Sequence, residues 1–164
     1  MARSGRRDRI RAAFDARRDA DLVIMARTDL RGVEGLDAAL DRAKALQDAG
    51  ADAIFPEAMA SLDEFAAMRA AVDVPILANM TEFGKSQLFT HQQLHDVGVN
   101  LVIHPVSLLR IAFGAIERGL DTLLTDGTLD AEVPSMQTRG RLYELLDYEA
   151  YNAFDASIYT YNGR

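Results

Sequence analysis

The polar residues that could do chemistry in this sequence stand at the ends of short apolar runs. Arg27, Thr28 and Asp29 close one run, Glu57 another, Asn79, Thr81 and Glu82 a third, and His104 a fourth. Arg27 offers a planar fork of N–H donors that matches a carboxylate. Asn79 and Thr81 offer neutral hydrogen bonds, and Glu57 can orient a hydroxyl or a metal-bound water. Side chains two apart on a strand share a face, which groups Val23, Met25 and Arg27, then Phe55 with Glu57, then Leu77, Asn79 and Thr81. In each group the polar member comes last. Such a set describes a pocket for a small, oxygen-rich anion. An ion pair between Arg27 and Glu57 on adjacent strands, with a purely structural role, uses the same residues, and spacing leaves both readings open.

Other reactive patterns are weaker. His91 and His95 are four apart, the spacing of a zinc-binding helix pair, but HQQLH lacks the Glu of the metalloprotease motif and reads as a solvated helix face. His104 beside Pro105 reads as a rim filler. The scattered Met residues read as core. Gly32 and Gly35 do not make a G-x-G-x-x-G turn after a strand, so no dinucleotide site is indicated. With no cysteine, the chain has no disulfide, thiolate zinc site or thiol nucleophile of its own.

The elements that must position these residues alternate. Apolar β-rich runs cover 22–28, 53–58, 74–81 and 101–105, and helical patterns lie between them. Leu36, Ala39, Leu40, Ala43 and Leu46 form one helical stripe, Phe65 and Met68 a second, and Leu94 marks a third. Gly50 reads as a helix C-terminal glycine, Ser61 with Glu64 as a capping box, and Thr90 as an N-cap. The alternation predicts βα units around a parallel sheet, whose strand C-termini converge on one rim. A small doubly wound sheet and half of a (β/α)8 barrel both satisfy it, since a full barrel needs about 250 residues. After Pro105 the pattern is helical, over 106–124 and 140–146, with a Gly- and Pro-bearing loop over 126–135. Residues 1–164 read as one domain.

The chain has 164 residues, 49% of them hydrophobic, and a formal net charge of −7. Disorder and a membrane-spanning segment are not expected. Seven Arg against two Asp in residues 1–18 leave the remainder near −12, which disfavours nucleic acid. The basic start has the acids that transit peptides avoid, and Ile10, Ala13, Phe14 and Arg17 fall at helical spacing, so it reads as an amphipathic helix in a cytoplasmic protein.

The strings VIMARTD (23–29), VEGLDAALDRAKALQDAGAD (33–52), FPEA (55–58), VPILANMTEFG (74–84) and MQTR (136–139) resemble the methylisocitrate lyases of the isocitrate lyase/phosphoenolpyruvate mutase superfamily. The resemblance runs from about residue 8 to 151. It implies that 1–105 supply strands five to eight of a (β/α)8 barrel, followed over 106–164 by helices that this superfamily exchanges between subunits. It implies a carbon–carbon lyase that splits 2-methylisocitrate into pyruvate and succinate, with an α-keto acid enolate held on Mg2+. Residues matching the family's substrate-binding positions are Arg27, Glu57, Asn79, the Met80 backbone, Thr81, Arg110 of SLLR and Arg139 of MQTR. The last two are additions that spacing does not single out.

The family's magnesium aspartates and its cysteine general acid belong to an earlier part of the barrel than any segment matched here. The expectation is therefore a chain with substrate-binding residues but with neither metal ligands nor a catalytic residue of its own, inactive alone. It is expected to be marginally stable or oligomeric, because a half barrel exposes two sheet edges. Homo-oligomers, or association with a full-length homologue, are the expected assemblies. Other superfamily chemistries, namely phosphonate mutase, phosphonate hydrolase and oxaloacetate decarboxylase, stay open, as do a decayed product and a docking module.

Overall fold

A computed structural model describes residues 4–84 and 86–159. The chain divides into two compact units, Met1–Arg110 and Ile111–Arg164.

The first unit opens with the expected basic helix, α1 (Ser4–Ala16), and continues with β1 (Met25–Thr28), α2 (Arg31–Glu34) and α3 (Leu36–Gln47). Next come β2 (Ala53–Pro56), α4 (Leu62–Ala71), β3 (Leu77–Asn79), α5 (His91–Asp96), β4 (Leu101–Ile103) and the start of α6 (Ser107–Asp126). β1 pairs in parallel with β2, setting Arg27 opposite Phe55, and β3 pairs in parallel with β4, setting Asn79 opposite Ile103. A parallel bridge between Ile54 and Ile76 joins the two pairs. Spatial order therefore follows chain order.

The strands are shorter than the apolar runs that announce them. Ile24 donates its N–H to the Asp52 carboxylate, and Leu22 and Val23 stay exposed, so β1 begins only at Met25. Pro75 has no N–H to give a ladder and β3 starts after it, although its carbonyl accepts from Ile54 N.

One face of the strands is packed with helices. Ala39, Ala43 and Leu46 of α3, Phe65 and Met68 of α4 and Leu94 of α5 are buried, as their spacing requires, while Leu36 and Leu40 are half-buried. Burying a side chain of the size of Phe65 contributes about 1.5–3 kcal/mol by transfer alone. The opposite face carries Arg27, Leu101 and Ile103, all exposed.

Capping departs from expectation in two details. Ser61 Oγ accepts from Glu64 N, but the Glu64 carboxylate turns to Ala60 N and Arg31, so the reciprocal half of the box at Ser61 N is not made. Thr90 and Gln93 make the full reciprocal box instead. Gly50 is left-handed at φ +102°, as the C-terminal reading requires.

The second unit holds the rest of α6, a 3-10 turn at Asp130–Ser135, α7 (Arg139–Leu145) and α8 (Tyr148–Tyr159). The 3-10 turn carries Pro134, and α8 is a helix that apolar spacing does not delimit. Tyr143 and Tyr148 stack with centroids 4.4 Å apart. A cleft of about 520 Å³ opens among Ile116, Leu120, Leu123, Leu129 and Met136. Other large apolar side chains on this unit are exposed, Phe154 and Ile158 by more than half. Among the described residues no helix is long and apolar enough to cross a membrane.

Candidate active-site rim

The strand C-termini of the first unit place polar side chains on one rim. Arg27 stands at the third position of β1 with its guanidinium 4.8 Å over the Phe55 ring, its register partner on β2. Its Nη2 lies 2.7 Å from Asp29 Oδ1 and 3.2 Å from Glu57 Oε2, and its Nε lies 3.3 Å from both Asp29 oxygens. The Asp29 hydrogen bond and the Glu57 charge outweigh partial burial and raise the Arg27 pKa further, so the cation is permanent. Asn79 extends the chain from β3, donating from Nδ2 to Glu57 Oε2 at 3.3 Å. Because that oxygen only accepts, the amide orientation is fixed and Asn79 Oδ1 is left buried without a partner among the described residues. The ion pair between Arg27 and Glu57 on adjacent strands is thus made. Arg27 is paired, yet its Nη1 keeps no partner among the described residues.

A second cluster forms where the turn after β3 meets the first turn of α6. Arg110 Nη1 donates to Thr81 Oγ1 at 3.3 Å, to the Glu82 carbonyl at 3.1 Å and to Glu82 Oε2 at 3.2 Å. Ser107 Oγ donates to the same Glu82 oxygen at 2.9 Å. That hydroxyl, followed by the Glu82 backbone and Arg110, holds the Glu82 carboxyl below the usual range. The turn residue Gly84 lines a cleft of about 360 Å³ together with Arg27, Asp29, Val33 and Glu57, which ties the turn to the first cluster.

The backbone at this rim is strained. Ala58, Phe83 and Val106 all adopt φ near +60°, although none is glycine, and each follows the C-terminal end of a strand. Such residues cost on the order of 1–3 kcal/mol and persist where their surroundings enforce them, often at functional sites.

Of the residues named from sequence, the first unit holds Arg27, Glu57, Asn79, Met80, Thr81 and Arg110 at or next to the rim. Met80 is buried, and its N–H is committed to Ile103 O at 2.9 Å. Arg139 opens α7 in the second unit and is exposed. Spacing did not single out Asp29, Glu82 or Ser107 as partners of the two arginines. The available signal for Asp29 was its period-2 relation to Arg27, and Ser107 stands three before Arg110 on a helix. His91 does not pair with His95. Its Nε2 lies 3.0 Å from His104 Nε2, joining the start of α5 to the end of β4.

The rim carboxylates are engaged by arginines. Asp29 and Glu57 both face Arg27, Glu82 faces Arg110, and among the described residues no three His, Asp or Glu side chains converge on a point.

The profile of the family described as phosphoenolpyruvate phosphomutase matches residues 4–124. The chain belongs to this family. A probable 2-methylisocitrate lyase of Corynebacterium glutamicum is 56% identical over 154 residues, covering 94% of this chain and 50% of that protein. The 2-methylisocitrate lyase of Escherichia coli is 48% identical over 144 residues, covering 88% of this chain and 49% of that protein. The chain thus spans about half the length of the curated relatives it matches. Among solved structures, oxaloacetate acetylhydrolase in complex with 3,3-difluorooxalacetate superposes with a TM-score of 0.82 at 30% identity, over 99% of this chain and 55% of that one. A 2,3-dimethylmalate lyase of the PEP mutase/isocitrate lyase superfamily gives 0.78 at 28% identity, over 96% and 56%. Phosphonopyruvate hydrolase complexed with oxalate and Mg2+ gives 0.75 at 26%, over 95% and 56%. In these phosphomutase-family terms the described chain is a mixed α/β protein with short parallel strands.

Proposed function

We propose that this chain supplies the carboxylate-binding rim of a carbon–carbon lyase of the methylisocitrate lyase type, which splits 2-methylisocitrate into pyruvate and succinate. The observation that carries the reading is a pair of guanidiniums near the strand C-termini, Arg27 lining a cleft with Glu57 and Gly84 and Arg110 fastened to Thr81 and Glu82 in the turn after β3, each with N–H donors still open. The 48–56% identity to proteins named as 2-methylisocitrate lyases favours this chemistry over that of the hydrolases matched at 26–30%.

In this reading the four strands are one half of a (β/α)8 barrel, a proposal supported by their parallel pairing in chain order. Residues 1–164 act as one partial-barrel domain whose terminal helices exchange between subunits of a cytoplasmic homo-oligomer, or dock on a full-length homologue. The chain's residues bind and orient. Arg27 and Arg110 hold carboxylates, Thr81 and Asn79 add hydrogen bonds, Glu57 fixes Arg27 and Asn79, and the Met80 backbone and Arg139 are further substrate-binding positions on the strength of the family motifs alone. Two guanidiniums against Asp29, Glu57 and Glu82 leave the first-unit rim negative by one, so an accompanying cation strengthens the binding of a dicarboxylate. Mg2+ is the cation of the assembled enzyme in this reading, held by side chains other than these.

Calorimetric titration of the chain with succinate tests the reading, together with pyruvate release from 2-methylisocitrate. Expected are saturable binding lost in Arg110→Ala and no pyruvate from the chain alone. Absence of binding overturns the carboxylate reading, and Mg2+-dependent pyruvate release from the chain alone overturns the non-catalytic one.

A further inference from the structure

Three arginines of the first unit meet carboxylates in different ways, and the difference assigns a role to Glu82. Arg31 gives its Nε and Nη2 edge to Glu64, at 2.9 and 2.6 Å, and is closed. Arg27 gives the same edge to Asp29. Arg110 is held otherwise. All three of its hydrogen bonds leave from Nη1, toward Thr81 Oγ1, Glu82 O and Glu82 Oε2, and its Nε and Nη2 have no partner among the described residues. The edge that receives a carboxylate through two parallel bonds is therefore open at Arg110 alone of these three.

We propose that Glu82, itself fixed by Ser107, is a positioning residue that fastens Arg110 by one amine and presents its open edge to a ligand carboxylate. The assignment rests on the carboxylate-binding reading above and names how that site is kept in order. Four observations converge on it. Ser107 is buried, and its hydroxyl fixes the Glu82 oxygen that faces Arg110. Ser107 and Arg110 share a helix face at i and i+3, so one element sets both the brace and the braced group. Phe83 puts its ring centroid 5.5 Å from the Arg110 guanidinium carbon, a further contact from the same turn. The left-handed φ of Phe83 and of Val106 flank this arrangement on both segments that make it. Holding one amine removes rotational freedom before a ligand arrives, which is how preorganised sites gain affinity.

The test uses the full chain labelled with 15N and 13C, reading rotation of the Arg110 guanidinium by NMR, with succinate as the probe ligand. In the unmodified protein the Arg110 Nη1 rotation is expected to be slow and its Nε–H resonance to persist. Glu82→Gln should restore fast rotation and weaken succinate about tenfold, since a neutral amide makes a weaker bond to a guanidinium than a carboxylate does. Glu82→Asp should recover part of both. Ser107→Ala leaves the carboxylate in place but unbraced, and should loosen Arg110 even if Glu82→Gln fails to fold. Unchanged Arg110 rotation in both Glu82→Gln and Ser107→Ala overturns the proposal, as does unchanged succinate affinity with altered rotation. A restrained Arg110 in a protein that does not bind succinate overturns the carboxylate reading instead, and the rotation data still decide the role of Glu82.

Discussion

The Arg27 guanidinium turns its Nε and Nη2 edge onto the Asp29 carboxylate, with Nη2 and Oδ1 2.7 Å apart, in a contact two residues long. The fork that the sequence offers to a ligand is thus filled from its own strand end. What remains for a ligand is Nη1, on a guanidinium whose Nη2 also meets Glu57 and whose carbon lies 4.8 Å over the Phe55 ring.

Replacing Arg27 by Lys keeps the charge and removes the geometry. A single ammonium cannot face Asp29, Glu57 and a ligand together. Succinate affinity is expected to fall about tenfold, a loss of about 1.4 kcal/mol, with the circular dichroism spectrum unchanged. Equal affinity in calorimetry would remove Arg27 from the binding set.

Acid should loosen the first unit through Glu64. Arg31, then the Ala60 N–H, hold the Glu64 carboxyl below its ordinary pKa against the opposing effect of burial. The unfolded chain therefore binds more protons as pH falls through the ordinary Glu value. This stabilisation is fully present above that value and is lost as pH drops through the lower folded one. Urea midpoints measured between neutral pH and pH 3 should fall less steeply in Glu64→Gln than in the unmodified chain. A parallel fall in both would assign the acid sensitivity elsewhere, for instance to Asp52, which Ile24 N and then Arg17 hold low.

Gly50 is required twice over. Its φ is +102°, and a β-carbon there would lie 2.6 Å from the Phe14 ring of α1. Gly50→Ala should destabilise by about 1 kcal/mol or more. Phe14→Ala combined with Gly50→Ala should recover the steric part and leave the backbone part, which a double-mutant cycle in urea resolves. Full additivity would show that α1 does not press on this turn.

The second unit leaves α6 beyond Arg110 and the whole of α8 rich in exposed apolar side chains; Leu120 is 53% and Phe154 66% exposed. Exposed apolar surface on this scale drives association. Sedimentation velocity should show mass rising with concentration in the micromolar range, and Leu120→Asp should shift the chain toward monomer. A monomer at every concentration would count against the proposed exchange of terminal helices.

Much of the fold was legible from spacing. Phe65, Met68 and Leu94 are buried because a helix turns 100° per residue and repeats its face every three to four positions, whatever it packs against. Strand ends were not legible, because they depend on who pairs. Asp52 captures Ile24 N and shortens β1, and no local rule announces that contact.

By itself the sequence determined that these strands alternate with helices, that their C-terminal ends carry Arg27, Glu57, Asn79 and Thr81, and that the chain resembles one lyase family. Those are properties of local period and of residue identity. Tertiary structure decided which donors stay open. Asp29 takes the Nε and Nη2 edge of Arg27 and leaves Nη1, Glu64 takes the same edge of Arg31, while Arg110 is fastened by Glu82 at a single amine. The reason is geometric. A guanidinium has five donors, and which of them a ligand finds depends on where carboxylates from distant segments come to rest, here 28 residues apart between Glu82 and Arg110.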